Sequence, residues 1–215
     1  MLIYMLPVTD IWTKKDEMLL SYVSPKRKDK ILKYTHIIDR KLSLYAALLA
    51  RLGISQLTGI SSSELDFTKD LNKKPFLLND PSLYFSFSHT RNFILCSISK
   101  DSDTGADVEK LKTAPLEVMK RVFHPDEIAF VEDAPEELRD IRFFTIWTSK
   151  EAFVKFLGTG LTNDLNEINS LSPSHASLLC TWQQEDYICS VYGKDIKNVE
   201  KHLYSENQVY KYFVH

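Results

Sequence analysis

Between Phe143 and Leu157 apolar side chains recur on almost every side of what their spacing predicts to be a single helix. Phe143, Phe144, Ile146, Trp147, Phe153, Val154, Phe156 and Leu157 supply the apolar positions, and Gly158 and Gly160 end the run. At about 100° per residue these positions cover most of the circumference, so little of the helix is left for water and a core must be built around it. Yet the same turns carry Lys150, Glu151 and Lys155. Glu151 and Lys155 are i,i+4 neighbours in one narrow sector beside Thr148. On an open surface such a pair contributes only a few tenths of a kcal/mol. In a helix with so little free surface, the pair is expected to face a cleft. Lys150 projects among the apolar residues, and its spacing assigns it no separate role.

The rest of the chain narrows what that cleft can bind. A length of 215 residues with 44% hydrophobic and 26% charged residues suits a globular chain of one or two domains. The formal net charge of −2 argues against a general nucleic-acid binder, whose affinity comes from neutralising many phosphates, so any basic site must be local. Cys96, Cys180 and Cys189 are odd in number and lack paired metal-ligand spacing, which disfavours a disulfide framework or a cysteine zinc site. The first residues carry no basic leader, and no apolar run approaches about 20 residues. The expectation is a soluble cytoplasmic protein with no membrane and no nucleic-acid partner.

Residues 2–6 read as a strand, and Ser24-Pro25 opens a helix expected from Lys26 to Arg51 and closing at Gly53. Its core face is Leu42, Tyr45, Ala46, Leu49 and Leu52. Its first half is dense in positive charge: Lys26, Arg27, Lys28, Lys30, Lys33, Arg40 and Lys41 against Asp29 and Asp39. Such a cluster can be a solvated face. Near a helix N-terminus it also works against the dipole, by about 0.3–1 kcal/mol, which an anionic ligand would offset. Asn72-Lys-Lys-Pro75 reads as a loop, Leu83–Ser88 and Phe93–Ser99 as strands, and His89-Thr-Arg-Asn92 as the turn between them.

Thr104–Glu109 reads as a further strand in which Asp107 and Glu109, two residues apart, point to one face. Two adjacent carboxylates repel each other in a folded interior unless a cation compensates, and an oxygen-loving divalent ion would do so; on a solvated edge strand they need none. Beyond Leu111 the chain is helical and acidic, with a turn near Phe123-His-Pro125; Ala134–Leu138 caps the opening helix. Ser170–Ser177 is a polar loop, and Leu178–Trp182 and Tyr187–Val191 read as strands. Helices and strands occur in both halves, with a junction near Lys100–Thr104, so the class is α+β or mixed α/β.

Gly105-Ala-Asp-Val-Glu109, followed some forty residues on by Trp147-Thr-Ser-Lys-Glu-Ala-Phe-Val-Lys155 and Gly158-Thr-Gly-Leu161, resembles the signature of the Sfp-type 4'-phosphopantetheinyl transferases. Asn72-Lys-Lys-Pro75, Phe85-Ser-Phe-Ser-His89 and the basic Ser24–Arg51 helix agree with it, in the same order. The resemblance implies two similar α/β halves, 1–103 and 104–215, related by a pseudo-twofold axis with the active site in the groove between them. It implies transfer of phosphopantetheine from coenzyme A to a serine hydroxyl of an apo acyl, peptidyl or aryl carrier protein, with release of 3',5'-adenosine diphosphate. Asp107, Glu109 and Glu151 would hold Mg²⁺, or Mn²⁺, with Glu151 also the base and Lys155 neutralising a phosphate oxygen. Arg27, Lys30, Lys74, Ser88 and His89 match coenzyme A phosphate positions, Ser43 matches a hydroxyl position, and Lys28 could substitute for its neighbours. A monomer is implied by analogy. Lys73 stands where the pattern has glycine, and Ala106 where it has a branched residue. Leu116, Met119, Val122 and Phe123 serve a carrier-docking surface or the core equally well. A metal-dependent nucleotide or coenzyme A pyrophosphohydrolase, or a non-catalytic coenzyme A-binding protein, are the alternative functions.

Overall fold

The computed structural model describes all residues except 71, 73, 101, 161–164, 195 and 215. Its elements are β1 (Leu2–Pro7), α1 (Lys14–Leu19), α2 (Pro25–Lys33), α3 (Ile37–Thr58), β2 (Phe67–Lys69), β3 (Pro75–Leu77), β4 (Tyr84–Thr90), β5 (Phe93–Ser99) and β6 (Thr104–Lys110). There follow α4 (Met119–Val122), α5 (Pro125–Glu132), α6 (Glu136–Leu157), α7 (Pro173–Ala176), β7 (Leu179–Gln184), β8 (Tyr187–Gly193), β9 (Glu200–Leu203) and α8 (Glu206–Val214). The mixed α and β class is as the sequence implies.

Alternation along the strands assembles these elements into layers. In β1 and β5, Tyr4, Leu6, Ile94, Cys96 and Ile98 pack with Leu44, Leu48 and Leu52 of α3. The opposite face of the same strands, Ile3, Met5, Phe93 and Leu95, meets Ala106 and Val108 of β6 and Cys189 and Val191 of β8. On the far side, Phe143, Phe144 and Ile146 of α6 pack with Ile188, Met119, Phe123 and Val131. Helix, sheet, sheet and helix are therefore stacked in that order, and α6 is covered on most sides as its composition demands. Met119 and Phe123 are core residues, whereas Leu116 is exposed.

The two sheets repeat one connection pattern. In the first, β1 leads through α3 to the hairpin β4–β5, in the order β4-β5-β1; in the second, β6 leads through α6 to the hairpin β7–β8, in the order β7-β8-β6. Each long helix has 22 residues and stops at a left-handed glycine, Gly59 at φ 77° and Gly158 at φ 70°. The chain end then crosses back: β9 pairs in parallel with β1, Leu2 opposite Glu200, and Val209 and Phe213 of α8 enter the α3 core.

The single helix expected from Lys26 to Arg51 is instead two. Ser24 caps α2 and accepts from the Arg27 amide, but Tyr34 and His36 take extended ψ values of 136° and 134°, and the chain turns before α3. Gly53 does not end α3, because its role is close packing: a Cβ there would lie 2.5 Å from Ile98 Cδ1 and 2.6 Å from Tyr4 Cε2. The β4–β5 turn is also tighter than expected, with β4 running on to Thr90 and Asn92 taking φ 62°, so His89 is a strand residue. All three cysteines are unpaired, and burial pushes the Cys96 and Cys189 thiols up to about 12. Among the described residues no helix is long and apolar enough to cross a membrane.

Candidate active site

The site forms where two sheet edges meet. β4 ends the first sheet and β6 ends the second. Ser88 Oγ donates to Asp107 Oδ1 at 2.8 Å, Thr90 Oγ1 reaches Glu109 Oε2 at 3.4 Å, and Ser86 Oγ accepts from the Ala106 amide at 3.1 Å. The offset of 19 residues is the same at Ser88–Asp107 and at Thr90–Glu109, so the strands run alongside in one direction, joined by hydroxyls. Period two places Asp107 and Glu109 on the face of β6 turned to α6.

α6 comes down on this seam unusually close. A Cβ at Gly105 would run into the Ala152 carbonyl oxygen and lie 2.5 Å from the Phe156 nitrogen, so only glycine admits the helix. Behind Asp107, its register partner Ser190 bonds Thr148 Oγ1 at 2.8 Å and Thr181 Oγ1 at 2.8 Å, fixing helix to sheet through buried hydroxyls. Two turns on from Thr148, Lys155 Nζ donates to Asp107 Oδ1 at 2.7 Å.

Asp107 is only 4% exposed; Ser88 and Lys155 saturate one oxygen, while the other, Oδ2, is buried without a partner among the described residues. Glu109 and Glu151 are half-buried, and burial, followed by repulsion from Asp107, holds both carboxyls above their ordinary range. Lys155, with Lys112 acting on Glu109, against three carboxylates leaves negative charge uncompensated. As the side chains stand, no three His, Cys, Asp or Glu residues among those described are gathered closely enough to enclose an ion. The donor chemistry nevertheless fits a hard divalent cation, since an orphaned carboxylate oxygen and two carboxyls disfavoured as anions are what such an ion satisfies.

The basic side of the seam comes from the other half. Arg27 is half-buried; one terminal nitrogen donates to the Ser43 carbonyl at 2.9 Å, while Arg27 Nε and the buried Ser43 hydroxyl have no partner among the described residues. Burial lowers the Arg27 pKa, although Tyr34 opposes this. His89 keeps its access to solvent, but crowding of the ring, then Lys155 and Arg27, lower its pKa, with Asp39 acting the other way. Lys155 of the second half and Arg27 of the first thus both disfavour the charged imidazolium. Lys28 and Lys30 are exposed, with Lys30 Nζ 6.0 Å from the Tyr34 ring centre. Ser88, expected at a phosphate, has its hydroxyl on Asp107. Lys74 Nζ lies at the far end of α6, donating to Asp103 Oδ1 at 2.5 Å and the Phe156 carbonyl at 2.9 Å. With Lys155, Phe85, Phe87, Gly158 and Gly160 it lines a cavity of about 250 Å³. Lys73 and Leu161 of the quoted motifs lie outside the described residues.

Two members of the basic cluster are structural. Lys41 is fully buried, bonded to Glu206, Thr9 and the Ile11 carbonyl, and Arg40 Nε caps α2 at the Tyr34 carbonyl. Lys150, without a role from spacing, is 2% exposed and pairs with Glu127 at 2.8 Å while donating to the Leu165 and Ile168 carbonyls. Burial lowers its pKa and outweighs the opposing pull of Glu127. Sequence reasoning missed Thr90, Asp103, Glu127 and Ser190. Thr90 lies two residues beyond Ser88 on the same face and could have been found by period; the others carry no local signal.

A family model described as the 4'-phosphopantetheinyl transferase superfamily matches residues 103–209, and one described as 4'-phosphopantetheinyl transferase, N-terminal, matches residues 11–100. The chain is similar to 4'-phosphopantetheinyl transferase Sfp of Bacillus subtilis strain 168, 27% identical over 73% of this chain and 69% of that one. It is equally similar to 4'-phosphopantetheinyl transferase psf-1 of Bacillus pumilus, 27% identical over 73% of this chain and 67% of the relative. The L-aminoadipate-semialdehyde dehydrogenase-phosphopantetheinyl transferase of Saccharomyces cerevisiae is 30% identical over 76% of this chain and 65% of its own length. The chain belongs to the Sfp-type 4'-phosphopantetheinyl transferase family.

Proposed function

We propose that this member of the family moves the 4'-phosphopantetheine arm of coenzyme A onto a serine hydroxyl of an apo carrier protein and releases 3',5'-adenosine diphosphate. The observation that carries the reading is the Asp107 carboxylate, one oxygen held by Ser88 and Lys155 and the other buried with no partner among the described residues, on a seam where His89 follows Ser88 along β4. In this reading the serine oxygen forms a bond to the nearer pyrophosphate phosphorus, the phosphorus–oxygen bond to the adenosine side breaks, and the serine proton leaves to a base. Such transfer depends on in-line positioning and on neutralising charge at the phosphate oxygens.

Asp107, Glu109 and Glu151 would hold Mg²⁺ or Mn²⁺, which when bound supplies charge neutralisation to the pyrophosphate. Lys155 exchanges Asp107 for a phosphate oxygen. Glu151, one helical turn before Lys155 and beside the Asp107 carboxylate, is the base that takes the serine proton. Arg27 Nε and the Ser43 hydroxyl, both without partners among the described residues, donate to the coenzyme's 3'-phosphate together with His89 and the exposed Lys28 and Lys30. Lys74 meets phosphate from the cavity at the end of α6. The halves 1–103 and 104–215, related by a pseudo-twofold axis, divide the labour between coenzyme and metal, with β9 and α8 returned to the first. Monomeric, cytoplasmic action belongs to the same proposal.

Asp107→Ala and Glu151→Ala test it. Each should abolish transfer to a carrier while the circular dichroism spectrum stays that of the parent; normal turnover by either folded variant contradicts the metal assignment.

A further inference from the structure

Lys74 is held at both ends. Its backbone closes a turn with Asp70, the amide donating to Asp70 Oδ1 at 2.8 Å and the carbonyl accepting from the Asp70 amide at 3.0 Å. Its ammonium is drawn across to the other half, donating to Asp103 Oδ1 and the Phe156 carbonyl. The same Asp103 oxygen accepts the Thr104 amide at 2.8 Å, which fixes the carboxylate immediately before β6, the strand that carries Asp107 and Glu109. An ammonium has three donors, and two are spent here. The side chains of Lys74 and Asp103 are 17% and 37% exposed, so the pair is partly open to water and exchangeable.

We propose that Asp103 sets the affinity for coenzyme A by competing with the coenzyme's phosphate for Lys74. The inference rests on the reading that Lys74 meets a phosphate, and it adds a residue that the family signature does not include. An anion entering the cavity is attracted by Lys74 and Lys155 but meets the charge of Asp103 on the same nitrogen. Asp103 therefore acts on the coenzyme through Lys74, as a positioning residue. If the pair were only a clasp between the halves, removing the Asp103 charge would loosen the cavity and weaken binding, so the two roles differ in sign.

The test is calorimetric titration of coenzyme A into the full chain and into Lys74→Ala, Asp103→Asn and the double variant. Asparagine keeps an acceptor for the Thr104 amide; Asp103→Ser provides a second small variant should Asp103→Asn fold poorly. Asp103→Asn should lower the Kd for coenzyme A by about two- to fivefold, the factor corresponding to a partly exposed ion pair. The gain should appear in KM rather than in kcat and should vanish on the Lys74→Ala background. An unchanged or raised Kd in Asp103→Asn overturns the proposal in favour of a clasp. An equal gain with and without Lys74 overturns it in favour of a general charge effect. If Lys74→Ala alone leaves Kd unchanged, the underlying assignment of Lys74 to phosphate fails, and the inference with it.

Discussion

Replacing Lys150 by methionine leaves Glu127 with no cation at a position that is 0% exposed. Removing one partner of a buried ion pair costs about 3–5 kcal/mol, because the remaining charge is uncompensated. For a chain of 215 residues each kcal/mol moves the melting temperature by about 2–4 °C, so Lys150→Met should melt about 6–20 °C below the parent. Glu127 also serves other groups: Oε1 accepts the Ser170 amide and hydroxyl, both at 2.7 Å, and Oε2 accepts the His124 amide at 2.8 Å. Adding Glu127→Gln removes the orphaned charge and keeps one carbonyl acceptor, but its amide nitrogen then faces either the His124 N–H or the Ser170 donors, so only part of the loss should return. The Leu165 and Ile168 carbonyls still lack their donor, which limits the recovery. Differential scanning calorimetry of the three proteins measures this. A fall of less than about 3 °C in Lys150→Met refutes the reasoning, because a buried, unpaired carboxylate costs more than that.

Gly105→Ala should destabilise the protein by about 1–3 kcal/mol and depress transfer, since the new methyl group meets the α6 backbone at Ala152 rather than a side chain that can rotate away; an unchanged melting temperature would show that the helix is not seated so closely. His89, held below its ordinary pKa, is mostly neutral near pH 7 in the free protein, and a bound phosphate favours its imidazolium form. Coenzyme A should therefore bind more tightly as pH falls from about 8 to about 6, and His89→Gln should flatten the part of that slope due to the ring. A depressed pKa means that the contribution of His89 to stability is present above its unfolded value and is lost as pH falls, so tighter binding at low pH would not reflect a firmer fold. Parallel pH profiles for parent and variant would remove His89 from the phosphate site.

The sequence made α6 legible because both of its signals are local: apolar period on many sides, and glycines that stop it. It also placed Asp107 and Glu109 on one face, as period two requires. Two errors share a cause in packing between distant segments. Gly53 read as a helix stop, but it is where α3 crosses Tyr4 and Ile98, which local sequence does not display. The basic cluster read as one face, but Lys41 is buried against Glu206, a partner 165 residues away. Lys150 had no legible role because its partner Glu127 lies on another helix and its remaining acceptors are backbone carbonyls. Nor does the sequence show that the Ser88 hydroxyl bonds Asp107 across the seam between β4 and β6. Edge pairing between two different sheets is set by tertiary structure and leaves no short motif.

The most direct measurement is the intact mass of an apo carrier protein after incubation with this protein, coenzyme A and Mg²⁺, beside a chelator control and a carrier lacking its acceptor serine. The account predicts the mass gain of one phosphopantetheine arm, absent from both controls. Consumption of coenzyme A with no change in carrier mass would contradict it and indicate a hydrolase.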